Sequence, residues 1–124
     1  MIATLGFAFS QTSPLKFTQS VQKFGKVDEG QDVFLTFYFM NEGEKPVIIN
    51  EAKVNCSCTV VAFPKEPINP NTKGEINVSF KTKGKIGYQE RVIEILTDQG
   101  TSEIKFKGSI KATESTILEH KHNH

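Results

Sequence analysis

The sequence predicts an all-β protein, an immunoglobulin-like antiparallel β-sandwich of seven to eight strands. Val, Ile and Thr total 31 of the 124 residues whereas Ala and Leu total 10, and β-branched side chains favour strands while Ala and Leu favour helices. No window shows an apolar repeat of 3.6 residues, which a surface helix would need. Turn residues divide the chain into short runs at the spacing typical of a sandwich.

The runs follow one another closely along the chain. Weak runs at residues 14–20 and 24–27 come first, and the strongest strand signal is DVFLTFYFM at residues 32–40, which stops at the turn-forming residues 41–44. Five further runs occupy residues 47–50, 53–63, 75–82, 88–97 and 102–112. Apolar and polar residues alternate in the run at 75–82 and in the last run, which predicts strands with one face in the core and one in solvent.

Residues 32–40 differ because both faces of the predicted strand are apolar. One face carries Val33, Leu35, Phe37 and Phe39. The other carries Phe34, Tyr38 and Met40. We expect a central strand on which neighbouring loops cover these three side chains. The alternative is an exposed apolar patch that binds a protein partner.

Cys56 and Cys58 are the only cysteines. On an extended strand both side chains point the same way, with those of Val54, Val60 and Ala62, which predicts two thiols packed in the core. A disulfide is awkward there because alternate Cα atoms of a strand lie ~6.6 Å apart, although a turn at the intervening serine would relieve this. Two functional alternatives stay open: a labile redox-active disulfide, and a two-thiolate Cu(I) site.

The two ends of the sequence predict no part of the sandwich. Residues 1–9 are apolar and resemble the end of a secretory signal peptide, with a short first strand as the alternative. This stretch is too short for a membrane-spanning helix, which needs about 20 residues. The last five residues hold all three histidines, His120, His122 and His124, in a polar tail expected to be disordered or tag-like. The predicted domain therefore covers residues 14–112, between a signal-peptide remnant or flexible N-terminus at 1–13 and a disordered or tag-like tail at 113–124.

Charge and motif content exclude several functions. Lys and Arg total 15 against 14 for Asp and Glu, and Arg91 is the only arginine, so we expect no nucleic-acid binding. No nucleophile elbow, phosphate-binding loop or zinc-protease motif is present. A structural zinc site needs about four ligands, and no second cysteine pair exists. We expect a protein that is not an enzyme and holds no cofactor.

The order of several short motifs resembles one bacterial family. The motifs are FGKV at residues 24–27, NEG at 41–43, CSCT at 56–59, PINP at 67–70 and GEINVSF at 74–80. Over residues 17–110 the chain is similar to domain of unknown function 1573, exported immunoglobulin-like domains related in shape to major-sperm-protein and PapD-like sandwiches. Members typically carry glycines where this chain has Ser57 and Asn71, and asparagine tolerates the left-handed conformation.

The resemblance implies a function without implying a catalytic residue. The family has no established activity, so a non-catalytic module, structural or protein-binding, in the periplasm or on the cell surface is expected. PapD-like domains often bind partners by adding a strand to an exposed sheet edge. The alternative function is thiol redox chemistry or Cu(I) handling at Cys56 and Cys58. The partner and the oligomeric state stay open.

Overall fold

Two four-stranded sheets form the fold of residues 12–113, the part of the chain that the computed structural model describes. The strands are β1 (Leu15–Phe17), β2 (Val21–Asp28), β3 (Val33–Asn41), β4 (Ile49–Val54), β5 (Thr59–Ala62), β6 (Lys73–Phe80), β7 (Gly87–Thr97) and β8 (Gly100–Lys111). Their order is β1-β3-β6-β5 in the first sheet and β2-β8-β7-β4 in the second. The predicted all-β sandwich is confirmed. No helix of the described residues is long and apolar enough to span a membrane.

The core lies between the sheets and consists of the inward face of each alternating strand. The first sheet supplies Phe37, Phe39, Ile76, Val78 and Phe80, and the second supplies Ile93, Ile95, Ile104 and Phe106; all are at most 2% exposed. The rings of Phe80 and Phe106 meet across the interface with their centroids 5.1 Å apart. Full burial of such a side chain stabilises the fold by about 1.5–3 kcal/mol.

One pair of strands in the otherwise antiparallel sandwich is parallel. β2 runs parallel to β8, with Lys23 opposite Lys107 and Gly25 opposite Gly108. The register skips Phe24, so a β-bulge interrupts β2 at this residue. The two strands come from opposite ends of the chain, and no hairpin connection dictates an antiparallel direction.

The predicted run at residues 53–63 is divided between the two sheets. β4 ends at Val54 in the second sheet, and β5 begins at Thr59 in the first. The turn at residues 55–58 changes the phase of the alternation, so Val60 and Ala62 are exposed instead of pointing to the core with Val54. The expected inward position of Val60 and Ala62 is therefore wrong.

A buried asparagine fixes the end of β3. Nδ2 of Asn41 donates hydrogen bonds to the carbonyls of Lys45 and Ile68, both at 2.9 Å, and its Oδ1 accepts the N–H of Gly43 at 2.8 Å. The backbone carbonyl of Asn41 accepts the N–H of Asn71 at 2.8 Å. Asn71 has a φ of 62°, the left-handed conformation anticipated at this position.

The first described residues contact β8. Thr12 forms an isolated parallel bridge with Thr101, and the N–H of Ser13 donates to the carbonyl of Thr101 at 3.2 Å. The hydroxyl of Ser13 is buried and hydrogen-bonds that of Ser102. The predictions made for residues 1–9 and for the histidines fall outside the described residues, and the proposed domain limits stay a prediction.

Candidate functional site

Five side chains of the first sheet form an exposed surface, which we call the apolar face: Phe34, Tyr38 and Met40 of β3 with Val60 and Ala62 of β5. The exposed fractions are 73% for Phe34, 57% for Tyr38 and 58% for Val60. The expectation that loops cover the β3 side chains is wrong for Phe34 and Tyr38, which are exposed. Met40 is half-buried.

Strand register places Phe34 and Val60 close together on the apolar face. Ser79 of β6 lies between Phe34 and Val60, so these two side chains flank a shallow groove of about 200 Å³. Across the middle of the groove, Oγ1 of Thr36 donates to Oδ1 of Asn77 at 2.9 Å. Nδ2 of Asn77 in turn donates to Oε2 of Glu75 at 3.1 Å. The polar side chains on this face therefore hydrogen-bond one another.

Cys56 and Cys58 form a disulfide, so the expectation of two packed thiols is wrong. The turn brings their Cα atoms to 5.2 Å, closer than the ~6.6 Å of an extended strand and within the usual range for a disulfide. The N–H of Cys58 donates to Sγ of Cys56 at 3.3 Å. Cys58 is buried, whereas Cys56 is half-buried. Cys56 is therefore the more exposed residue of the pair.

A second concave surface, the side groove, lies where β4 ends beside β7. It has a volume of about 990 Å³. Its walls are residues 51–56 and 59 on one side and Glu90, Arg91, Val92 and Glu94 on the other. The disulfide thus lies at the groove through Cys56, a placement that the sequence pattern did not reveal.

Arg91 is the charged side chain that β7 directs toward the interior. It lies opposite the buried Phe106, and its guanidinium carbon is 5.3 Å from the ring centroid of Phe80. Nη2 donates to Oε1 of Gln89 and Nη1 to the carbonyl of Glu90, both at 2.9 Å. The sequence analysis used Arg91 only to exclude nucleic-acid binding. Its inward parity in β7, shared with Ile93 and Ile95, was the signal that could have identified it.

The outer face of β7 carries a hydrogen-bonded carboxylate. The hydroxyl of Tyr88 donates to Oε1 of Glu90 at 2.7 Å, and Nζ of Lys105 lies 3.0 Å from Oε2. The hydrogen bond from Tyr88, followed by that from Lys105, lowers the pKa of Glu90. The same contact with Glu90 raises the pKa of Tyr88, because ionisation would remove the donated proton.

The candidate residues therefore belong to two surfaces. Phe34, Tyr38 and Met40 share the apolar face, and the cysteine pair lies at the side groove. Within residues 12–113 no three His, Cys, Asp or Glu side chains are grouped so that they could hold a metal ion.

Comparison with solved structures supports the fold assignment. A protein of unknown function from Porphyromonas gingivalis W83 has a TM-score of 0.67 and 13% identity, with 83% of this chain and 49% of that chain covered. The ASH/PapD-like domain 7 of human CEP192 has a TM-score of 0.64 and 9% identity, with 92% and 98% covered. The VesB protease of Vibrio cholerae has a TM-score of 0.60 and 10% identity, with 79% and 32% covered. The likeness shows the fold alone.

The chain spans about half the length of the Porphyromonas protein and about a third of the protease. No curated protein matches the chain. A family model described as "Protein of unknown function (DUF1573)" matches residues 15–110, which is most of the sandwich. The chain therefore belongs to the DUF1573 family, the family that its sequence motifs resemble.

Proposed function

We propose that the protein is a non-catalytic, exported module that binds another protein through the apolar face. The observation that carries the proposal is the exposure of Phe34, Tyr38 and Val60 on one continuous sheet surface. Clustered apolar side chains in contact with water are typical of interaction sites. Aromatic side chains contribute most to such interfaces, and full burial of one stabilises a complex by about 1.5–3 kcal/mol.

The polar part of the apolar face supports the same function. Thr36, Asn77 and Glu75 are already joined to one another by hydrogen bonds that need no water. A partner that covers this surface therefore leaves few polar groups without a hydrogen bond, which removes a large cost of association.

The charges around Met40 favour a partner of particular chemistry. In the sheet, Met40 lies between Lys16 of β1 and Lys73 of β6. Two lysines at one end of an apolar surface favour a partner with an apolar centre and an acidic rim at that end. We therefore assign the apolar face to a different protein, not to a second copy of this chain.

Two features support export to the periplasm or cell surface. A disulfide such as Cys56–Cys58 is typical of proteins in an oxidising compartment, and residues 1–9 resemble the end of a signal peptide. Alkylation of thiols in intact cells of the native host, before lysis, tests this part of the proposal. We expect both cysteines to escape alkylation, and full alkylation of the folded protein would contradict export.

Site-specific photocrosslinking tests the apolar face. A photoreactive residue replaces Phe34 in one variant and Val21 in a matched control, because Val21 is an exposed apolar residue of the other sheet. In the native host, position 34 should give a discrete crosslinked product with a second protein, and position 21 should not. A crosslinked dimer of the chain, equal products from both positions, or no product from position 34 would overturn the assignment.

The disulfide favours thiol redox chemistry as a second candidate function. A partner dithiol would attack Sγ of Cys56, the more exposed cysteine, and Cys58 would leave as the thiolate. The second partner thiolate would then displace Cys56, so that the partner becomes a disulfide and this chain a dithiol. Cu(I) handling would use the same reduced dithiol, because thiolates are the ligands.

A trapping experiment tests the redox candidate. The Cys58→Ser variant keeps the accessible Cys56 thiol and should trap a mixed disulfide with a redox partner. The Cys56→Ser variant is the matched control, because its remaining thiol is buried. Absence of a mixed disulfide in cells that express Cys58→Ser would reject exchange at this site.

A further inference from the structure

We propose that the side groove binds an extended segment of a partner protein as an added β-strand along residues 87–92 of β7, with an acidic side chain of that segment on Arg91. The side groove shares no lining residue with the groove of the apolar face. The proposed site is therefore a second, separate interaction surface.

The first half of β7 has an unpaired edge. β7 extends over Gly87–Thr97, and β8 pairs with its whole length. On the other side β4 pairs only from Thr97 back to Ile93. In the described part of the chain, residues 87–92 thus lack a neighbouring strand on that side. Such an edge presents free backbone donors and acceptors to an extended peptide.

The path of the chain after β4 explains why this edge stays open. Beyond Val54 the chain turns away at residues 55–58 and enters the other sheet as β5. The Cys56–Cys58 disulfide constrains that turn. β4 therefore does not continue along β7, and an added strand would occupy the place that its continuation would take. It would run antiparallel to β7, as β4 does.

Arg91 supplies the recognition chemistry at this edge. It is half-buried and belongs to the inward face of β7. Both of its donated hydrogen bonds go to neutral oxygens, Oε1 of Gln89 and the carbonyl of Glu90, and no carboxylate of residues 12–113 forms an ion pair with it. A guanidinium in a groove prefers a carboxylate, which it binds through two parallel hydrogen bonds.

The acidic side chains beside the groove do not neutralise Arg91. Glu90 and Glu94 have the opposite parity in β7 and point to the outer face. Glu90 is paired there with Lys105, and Glu94 lies opposite Lys53 of β4. Glu90 and Glu94 also line the side groove, but Arg91 is the one charged side chain on the inward face of β7.

The geometry also defines the partner segment. Side chains of an added strand alternate between the two faces of the sheet, and the residue opposite Arg91 shares its inward face. That position is the one at which an Asp or Glu would meet the guanidinium. Inward positions on either side of it would face the half-buried Val54 and Cys56, so apolar side chains fit there.

A synthetic peptide tests the site with the whole protein. The probe is a capped seven-residue peptide of alternating valine and threonine with a central glutamate, and the matched peptide has glutamine instead. The glutamate peptide should shift the backbone amide resonances of residues 87–92 and slow their hydrogen exchange. The glutamine peptide should bind about tenfold more weakly, because the charged pair is lost.

Protein variants complete a double-mutant cycle. Arg91→Gln should weaken the glutamate peptide by about the same factor and leave the glutamine peptide unaffected. Lys107→Gln, which removes a positive charge from the outer face, should change neither affinity. The comparison of the two peptides uses the unchanged protein. It therefore tests the preference for an acidic side chain even if Arg91→Gln fails to fold.

Three results would overturn the inference: no binding of either peptide at millimolar concentration, equal affinity for both, or shifted amides confined to β5. The variant Phe34→Ser separates the two proposed surfaces, since it should abolish binding at the apolar face and leave the peptide affinity unchanged. Failure of the strand-addition site would thus leave the proposed function standing. Failure of the apolar face as a binding site would likewise leave the strand-addition site standing.

Discussion

The ring of Phe24 lies directly against the backbone of Gly108: a methyl group on Gly108 would stand 2.5 Å from Cδ1 of that ring. Phe24 is the bulge residue of β2, and its ring is 5.9 Å from that of Phe80 and 6.2 Å from that of Phe106, measured between centroids. The bulge therefore turns an aromatic ring into the core where the two parallel strands meet, and only a residue without a side chain fits beneath it.

The variant Gly108→Ala should lower the free energy of unfolding by about 1–3 kcal/mol, since the added methyl overlaps a packed ring. Denaturant unfolding measures the change. Phe24→Leu in the same chain should recover part of the loss, because a smaller side chain makes room for the methyl. If Gly108→Ala lowers the free energy of unfolding by the same amount in the chain with Phe24 and in the chain with Phe24→Leu, the contact with the ring is not the cause.

Truncation of two adjacent residues of β3 should change the free energy of unfolding by very different amounts. Tyr38→Thr, which keeps a strand-favouring residue at a 57% exposed position, should change the free energy of unfolding by less than about 0.5 kcal/mol. Phe37→Ala, at a fully buried position, should cost about 3–5 kcal/mol. A loss of 2 kcal/mol or more for Tyr38→Thr would mean that Tyr38 is covered and would remove it from the apolar face.

Reduction of the disulfide should affect stability only modestly. The bridge closes a loop of three residues, for which the chain-entropy relation gives about 1.5 kcal/mol. Thiol titration of the folded protein should find no free thiol before reductant and two after it, with Cys56 alkylated faster than the buried Cys58. Two thiols that titrate without reductant, or a loss of folding on reduction, would contradict this prediction.

The contact between Tyr88 and Glu90 predicts a pH effect. The pKa of Glu90 is lower in the folded protein than in the unfolded chain, so its ionised form favours folding above the unfolded-state pKa. That contribution is lost as the pH falls through the folded-state pKa. Tyr88→Phe should raise the pKa of Glu90 toward its ordinary value, measured by NMR titration of the side-chain carboxyl carbon. An unchanged pKa would show that the hydrogen bond does not act on Glu90.

The sequence predicted those strands in which a single face is apolar, because alternation then determines which side is buried. Residues 75–82 and 102–112 illustrate this. In residues 32–40 apolar side chains occupy both faces, and alternation alone does not distinguish a covered second face from an exposed one. The exposure of Phe34 depends on where the other strands lie.

The local sequence pattern also could not predict the turn at residues 55–58. The polar residues Asn55, Ser57 and Thr59 alternate with the cysteines as they would on a strand, and only the change of sheet after Val54 reverses the parity. The parallel pairing of β2 with β8 joins residues more than 80 positions apart, and local pattern carries no information about such pairing.

Oxidative footprinting of the apolar face tests the central claim most directly. Hydroxyl radicals modify exposed aromatic and aliphatic side chains, and mass spectrometry gives the extent of modification at Phe34, Tyr38 and the exposed control residue Val21 of β2. All three should be modified in the purified protein. In intact cells of the native host, Phe34 and Tyr38 should be protected by the partner while Val21 is still modified. Equal modification of Phe34 in the purified protein and in cells would contradict the proposed binding function.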